Sequence, residues 1–265
     1  MTGISRFIVV VPARNEETLV KRCLTSIAEA NRFARVSLGE RCPELAVVLV
    51  ADSCTDRTAQ LARGIPGVTV LEIDAANVGS ARAAGVGFAL GANSAGQSGG
   101  GAPGMDHTWI ANTDADSIVP PQWITSQVAL ADSGIDLVLG TVRPEFADLS
   151  AAQIRIWKAT HIPGHPSGNV HGANLGVRAS DYLAAGGFFD HAEHEDVDLV
   201  RRLRDNDARW VTTDDGEVIT SGRRVGRTPG GYAAFLALQA QTAEHDAAQI
   251  PAGPPTGELS TVAPL

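Results

Sequence analysis

Short apolar runs that stop abruptly at polar residues are the feature that most limits what this chain can fold into. RFIVVVP (Arg6–Pro12), AVVLVA (Ala46–Ala51), VTVLEI (Val68–Ile73), HTWIANT (His107–Thr113) and DLVLGT (Asp136–Thr141) each have the length of a strand. Runs with so little polar alternation suit strands buried on both faces, as in a parallel sheet. Between them lie stretches with helical spacing. Leu19, Val20, Cys23, Leu24 and Ile27 share one helical face, with Asn15 expected as the cap and Glu16 and Glu17 at the positive end. Asp56 is expected to cap a second helix through Ala59, Leu61 and Ala62, and Ser80–Leu90 reads as a third. Strand and helix in alternation predict an α/β fold, an open, mostly parallel twisted sheet flanked by helices. Such sheets bind ligands beyond the carboxyl ends of their strands.

The later chain is less regular. Trp157–Gly172 (WKATHIPGHPSGNVHG) reads as a long loop of the kind that binds or covers a ligand. Glu195–Asn206 reads as a helix, Arg209–Thr213 as a short strand and Tyr232–Gln241 as a closing helix. With 265 residues, 44% of them hydrophobic, the chain has enough apolar material for one large core. We expect a single domain over residues 1–248, with a nucleotide-binding half to about residue 118 and an acceptor half from 119 to 248. Gly91–Asp106 (GANSAGQSGGGAPGMD) has the composition of a flexible insertion, and 249–265 that of a disordered tail.

Several classes are disfavoured by charge and composition. A net charge of −9 argues against nucleic acid and against anionic membranes as partners. No run approaches the roughly 18–20 apolar residues of a membrane span. The chain enters a strand at once, without the pattern of a signal peptide. Cys23, Cys42 and Cys54 are odd in number and contain no CxxC pair, which disfavours a disulfide framework or a zinc site. These readings together predict a cytoplasmic protein.

Four polar constellations follow strand ends. VVVPARNEE (Val9–Glu17) ends a strand at Pro12 and turns at Asn15 and Glu16; simple helix capping would account for it equally well. In VADSCTDRT (Val50–Thr58), Asp52 stands where a carboxylate can accept an N–H from a nucleobase edge, with an ordinary turn as the bland alternative. NVGSARAAG (Asn77–Gly85) sets Asn77, Gly79 and Arg82 at a loop-to-helix junction, which suits a phosphate. Gly85, Gly87 and Gly91 fall inside or at the end of that helix, so they are no dinucleotide fingerprint. IANTDADS (Ile110–Ser117) places Asp114 and Asp116 at a strand end, where spacing of two along an extended chain puts both carboxylates on one side. Such a pair suits Mg²⁺ or Mn²⁺ that also holds substrate phosphates, although many plain turns contain one.

Taken together, these residues resemble the family-2 glycosyltransferases, which use the GT-A fold. The resemblance runs from about Phe7 to Arg224 and rests on Pro12, Asn15 and Glu16, on Asp52 and Asp56, and on Asp114-Ala115-Asp116. It continues through HGANLGVRASDYLAAGGFFDHAEHEDVDLVRRL (His171–Leu203), which is similar to the family's acceptor-side stretch. The sequence departs from the family at Ala51, where a first Asp is common, and at Cys54, where Ser is usual.

The resemblance implies a metal-dependent transfer of sugar from a UDP- or GDP-linked donor. The acceptor is unidentified: a small molecule, a glycan or a lipid-linked sugar. Pro12, Ala13, Asn15, Glu16, Asp52, Gly79, Arg82 and Asp114 would bind the donor. Asp116, with Asp114, would hold Mg²⁺ or Mn²⁺. Asp196, with Glu195 as fallback, would be the catalytic base of an inverting reaction. For these last two, attraction of acidic residues to a helix start is the bland alternative. His171 is the one histidine nominated as a metal ligand among the clustered His161, His165, His171, His191 and His194, and Arg223 with Arg224 could clamp the diphosphate. The rivals are a retaining transferase on the same fold, a nucleotidyltransferase and a non-catalytic sugar-nucleotide binding module. The second would carry a Gly-rich opening loop that Pro12–Glu17 lacks.

Overall fold

A computed structural model describes residues 3–91, 104–191, 193–223, 232 and 236. Seven strands form one sheet: β1 (Arg6–Ala13), β2 (Glu44–Asp52), β3 (Val68–Ile73), β4 (Thr108–Asn112), β5 (Leu137–Pro144), β6 (Leu175–Arg178) and β7 (Trp210–Thr220). Their spatial order is β3-β2-β1-β4-β6-β5-β7. All neighbours are parallel except β6, which runs antiparallel to both β4 and β5. The helices are α1 (Val20–Leu38), α2 (Thr58–Arg63), α3 (Val78–Leu90), α4 (Trp123–Asp132), α5 (Ala151–Thr160), α6 (Ala179–Ala184) and α7 (Glu195–Asp205).

The strand order explains where a ligand can sit. The chain lays β1, β2 and β3 outward in one direction, then returns past β1 to place β4 on its other side. The carboxyl ends of β1 and β4, where the strand order reverses, are the topological switch point at which such sheets bind ligands. Both sides of the sheet are covered. Val9, Val11, Trp109 and Ala111 pack with Leu24 and Ile27 of α1 and Trp123 and Ile124 of α4. The alternate residues Ile8, Val10 and Ile110 pack with Val86 of α3 and Leu199, Val200 and Leu203 of α7. Phe7 through Val11 are wholly buried, which is why this run carries no polar residue. Each such side chain stabilises the fold by about 1.5–3 kcal/mol through burial.

The five expected strands are present. Several expectations need correction. Asn15 does not cap α1: the helix begins at Val20 with Leu19 in the capping position, and Asn15 sits in a turn at φ 54°. Its side chain is taken instead by Thr55, whose N–H and hydroxyl donate to it. The loop expected from Trp157 starts later, because α5 continues to Thr160 behind a Ser150–Gln153 capping box. The short strand expected over Arg209–Thr213 extends as β7 to Thr220, across Asp214-Asp215-Gly216 and past an irregularity opposite Gly140–Val142. Residues 92–103 of the glycine-rich segment, the tail 249–265 and most of Tyr232–Gln241 lie outside the described residues. Among those described, no helix is long and apolar enough to cross a membrane. Cys23, Cys42 and Cys54 are unpaired, and Cys23 is buried in the core.

Candidate active site

A cleft of about 750 Å³ opens at the carboxyl ends of the central strands. The end of β1 and the turn after it supply Pro12, Ala13, Arg14 and Glu16 to its wall. This turn is clipped to the one after β2: the Glu16 N–H donates to Thr58 Oγ1 at 2.7 Å and the Glu17 N–H to Asp56 at 3.0 Å. Asp56 also accepts the N–H of Thr58 at 2.9 Å, so it does stabilise the start of α2.

Asp52, at the end of β2, lines the cleft but is 4% exposed. Its carboxylate accepts the N–H groups of Ala75, Ala76 and Asn77, each at 2.8 Å. That carboxylate therefore shapes the loop leading into α3. Asn77 caps α3 by accepting the Ser80 N–H at 2.9 Å, and its amide donates to the carbonyls of Asp190 and His191. Gly79 lies behind the wall. A Cβ there would come within 2.2 Å of the Phe189 carbonyl oxygen, so glycine lets α3 seat against the loop that precedes α7. Asn15 and Gly79 are thus the two donor-side expectations that do not line the cleft.

Asp114 and Asp116 both reach the cleft, from a turn rather than from an extended strand end. β4 stops at Asn112, and the Ser117 N–H closes the turn onto the Asp114 carbonyl at 3.0 Å. The two carboxylates then take different partners. Asp114 accepts from Arg82 at 2.7 Å, and the same guanidinium donates to Glu195. Arg82 is 3% exposed; burial works against its charge, and the adjoining Asp114 and Glu195 outweigh it. Burial likewise pushes the Glu195 carboxyl up, opposed by Arg82.

Asp116 pairs with Arg223 at 2.8 Å, and that guanidinium also donates to Glu16 at 2.6 Å. The Thr220 hydroxyl lies 3.3 Å from the other Asp116 oxygen. Burial, with the neighbouring charge of Asp114, pushes the Asp116 carboxyl well above its ordinary range despite Arg223. Arg224 lies outside the described residues.

On the far wall, α7 opens at Glu195 directly after His194, which holds φ 62°. Asp196 faces the cleft. Its Oδ2 accepts the Gly172 N–H at 2.7 Å, and its Oδ1 accepts the Val197 N–H at 2.8 Å. His171 also lines the cleft, edge-on to Tyr232, and burial holds its imidazole below the ordinary value. His161 and His194 line the same cleft. His161 stacks on Trp157, and His191 pairs with Asp198. Among the described residues, no three His, Cys, Asp or Glu side chains form a preformed metal cage. Sequence reasoning did not name Thr220, the Gly172 N–H or Tyr232 as site groups; Thr220 carries no motif and reaches the cleft as the last residue of β7.

Several solved structures share this fold. The Mn²⁺ and GDP-Man complex of the mannosyltransferase PcManGT from Pyrobaculum calidifontis is 22% identical, with a TM-score of 0.57 over 94% of this chain and 66% of that one. A TarS crystal structure from S. aureus is 16% identical, with a TM-score of 0.54 over 88% of this chain. Glucosyl-3-phosphoglycerate synthase from Mycobacterium tuberculosis, crystallised with Mn²⁺, UDP and glucosyl-3-phosphoglycerate, is 18% identical, with a TM-score of 0.52 over 90% of this chain and 80% of that one. The chain spans 65% and 37% of the lengths of two TarS structures. No curated protein matches the chain in sequence. The sequence profile described as Glycosyl transferase family 2 matches residues 8–169, more than half of the 265. On that match the chain belongs to glycosyl transferase family 2.

Proposed function

We propose that this chain transfers a glycosyl group from a nucleoside diphosphate sugar to an acceptor hydroxyl, with inversion and with a divalent cation. One observation carries the reading. The Asp114–Asp116 turn and the Glu195-Asp196 helix start face one cleft at the switch point, tied together by Arg82. The donor set suits the cation. Asp114 and Asp116 offer hard carboxylate oxygens, with Glu16 reached by the same Arg223. Mg²⁺ and Mn²⁺ need only one or two protein carboxylates and complete their shell with phosphates and water. Bound there, the metal would act as a Lewis acid for the departing diphosphate.

The chain's own residues supply the rest. Pro12, Ala13, Glu16 and the Asp52-shaped loop form the wall available to a nucleoside. Asp196 is the base. Its two backbone N–H contacts fix the carboxylate at the mouth of the cleft, and a positioned carboxylate can take the acceptor's proton. Glu195, committed to Arg82, orients the helix start instead. Three unpaired cysteines accord with a reducing, cytoplasmic setting.

Calorimetry with UDP, GDP, CDP and dTDP, each with and without Mn²⁺, tests the donor. One nucleotide should bind more tightly with metal, and Asp116→Ala should abolish that gain while the protein stays folded. Unchanged binding in Asp116→Ala would overturn the metal assignment. Asp196→Asn should keep donor affinity and lower turnover by about 10²–10⁴-fold. Normal turnover, or a product that retains the donor's anomeric configuration, would remove Asp196 as base of an inverting transfer.

A further inference from the structure

Arg223 stands in an unusual place. It follows the end of β7, three residues after Thr220, and its guanidinium bridges Asp116 and Glu16. The backbone beneath it is fixed. Ile118, just after the acidic turn, exchanges both N–H···O bonds with Ile219 of β7, at 2.7 and 3.0 Å. The Gly222 N–H donates to Asp148 at 2.9 Å, and a Cβ at this glycine would lie 2.7 Å from that of Asp148. The turn is thereby held so that the next side chain projects over the acidic pair. The guanidinium, by contrast, hangs on a long flexible stem, and the side chain is 29% exposed. It is a cation placed on the very carboxylate that the reading above gives to the metal.

We propose that Arg223 is the intramolecular counter-ion of the donor site before ligands bind. It competes with the divalent metal for Asp116 and transfers to the donor's diphosphate when metal and nucleotide bind together. The inference rests on Asp116 as metal ligand. Its chemistry is a partner exchange. Without a nucleotide, an incoming metal must displace the guanidinium from Asp116, leaving it with Glu16 and water. With a nucleoside diphosphate present, the displaced guanidinium gains phosphate oxygens, for which its planar donor fork is suited. Metal and nucleotide binding are therefore coupled through Arg223, and by linkage the coupling is reciprocal.

The test is Mn²⁺ binding, followed through the electron paramagnetic resonance signal of free Mn²⁺. Wild type, Arg223→Gln, Arg223→Lys and Asp116→Ala are compared without nucleotide and then with UDP and with GDP. Thermal melts check that each variant is folded. In wild type, Mn²⁺ alone should bind weakly and one nucleotide should tighten it. Arg223→Gln should bind Mn²⁺ alone at least about tenfold more tightly, since a unit positive charge a few ångströms from the metal is gone. Its gain on adding nucleotide should shrink correspondingly. Arg223→Lys, which keeps the charge, should stay close to wild type for Mn²⁺ alone. If Arg223→Gln binds Mn²⁺ no more tightly than wild type while Asp116→Ala loses it, the counter-ion role is wrong and the metal site stands. If Asp116→Ala binds Mn²⁺ as wild type does, the metal assignment falls and this proposal with it.

Discussion

Two arginines bridge two pairs of acids across the same cleft, and they differ in one physical respect. Arg82 is buried at 3% exposure between Asp114 and Glu195, whereas the Arg223 side chain, between Glu16 and Asp116, is 29% exposed. Both join parts of the chain more than a hundred residues apart. The Arg82 bridge ties the floor of the cleft to the helix that carries Asp196. The Arg223 bridge lies on the cleft surface, where water and ligands reach it. Burial therefore separates a structural bridge from an exchangeable one. A buried guanidinium cannot leave without stranding the desolvated Glu195, while one at the rim can trade partners.

Removing Arg82 should produce the largest effect and would test that contrast most directly. Arg82→Met keeps most of the stem and leaves Glu195 buried without its cation. A loss of about 3–5 kcal/mol is expected, read from urea unfolding. The Asp196 carboxylate, one residue along, should also lose its fixed position. If Arg82→Met unfolds at the same urea concentration as Arg223→Gln, burial does not distinguish the two bridges. A smaller effect is expected where the buried bridge is seated. Gly79→Ala adds a methyl against the Phe189 carbonyl, a backbone atom that cannot rotate away. Overpacking of this kind costs about 1–3 kcal/mol, and the melting temperature should fall accordingly. A variant as stable as wild type would mean that α3 and the loop before α7 shift freely.

A third bridge, remote from the cleft, offers a control. Asp136, at the start of β5, accepts from Arg178 at 3.0 Å and from Arg209 at 2.9 Å. Burial alone would raise its carboxyl, but the hydrogen bonds from Arg209 and Arg178 hold it below the ordinary value. The folded protein then binds fewer protons at this site than the unfolded chain, whose aspartate titrates near about 3.9. Its stabilisation is complete above that value and is lost as pH falls through the lower folded one. Asp136→Asn should cost about 1–2 kcal/mol at pH ~7. The difference from wild type in urea melts should narrow below pH ~4. A gap that does not change with pH would assign the loss to packing instead of charge.

One wall of the cleft was legible in the sequence because its polar groups lie at the ends of buried strands. Pro12, Asp52 and Asp114 could be placed at or just past the ends of β1, β2 and β4 from apolar runs alone. Their partners could not. Nothing local to Arg223 points to Glu16 or Asp116; the contact exists because β7 enters parallel beside β5 and Ile219 bridges Ile118. β6 was missed for a similar reason: its four residues, LGVR, are too short to show a period, and antiparallel pairing with β4 and β5 makes them a strand. Asn15 misled because it has the chemistry of a helix cap, but is held by Thr55 of the neighbouring turn.

The smallest expected change is the one that most sharpens the contrast. Arg223→Gln removes a guanidinium from two acids whose side chains are themselves only 6% and 9% exposed, which by itself would forecast a loss as large as at Arg82. The difference lies in what replaces the lost charge. Glu16 and Asp116 line an open cleft, so deleting the arginine head uncovers their oxygens to water. Glu195 lines the same cleft, but its partner Arg82 is only 4% exposed and its head packs beneath Gly172, so less water reaches the vacated space. Partly exposed ion pairs contribute about 0–1 kcal/mol, and the loss for Arg223→Gln should stay within about 1 kcal/mol. Raising the salt concentration should weaken this bridge in wild type and leave the Arg82 bridge intact, since buried pairs are screened far less. Urea melts of both variants at low and high salt would read this directly. A loss at Arg223 that equals the one at Arg82 and ignores salt would make both bridges structural, and would leave neither arginine free to change partners.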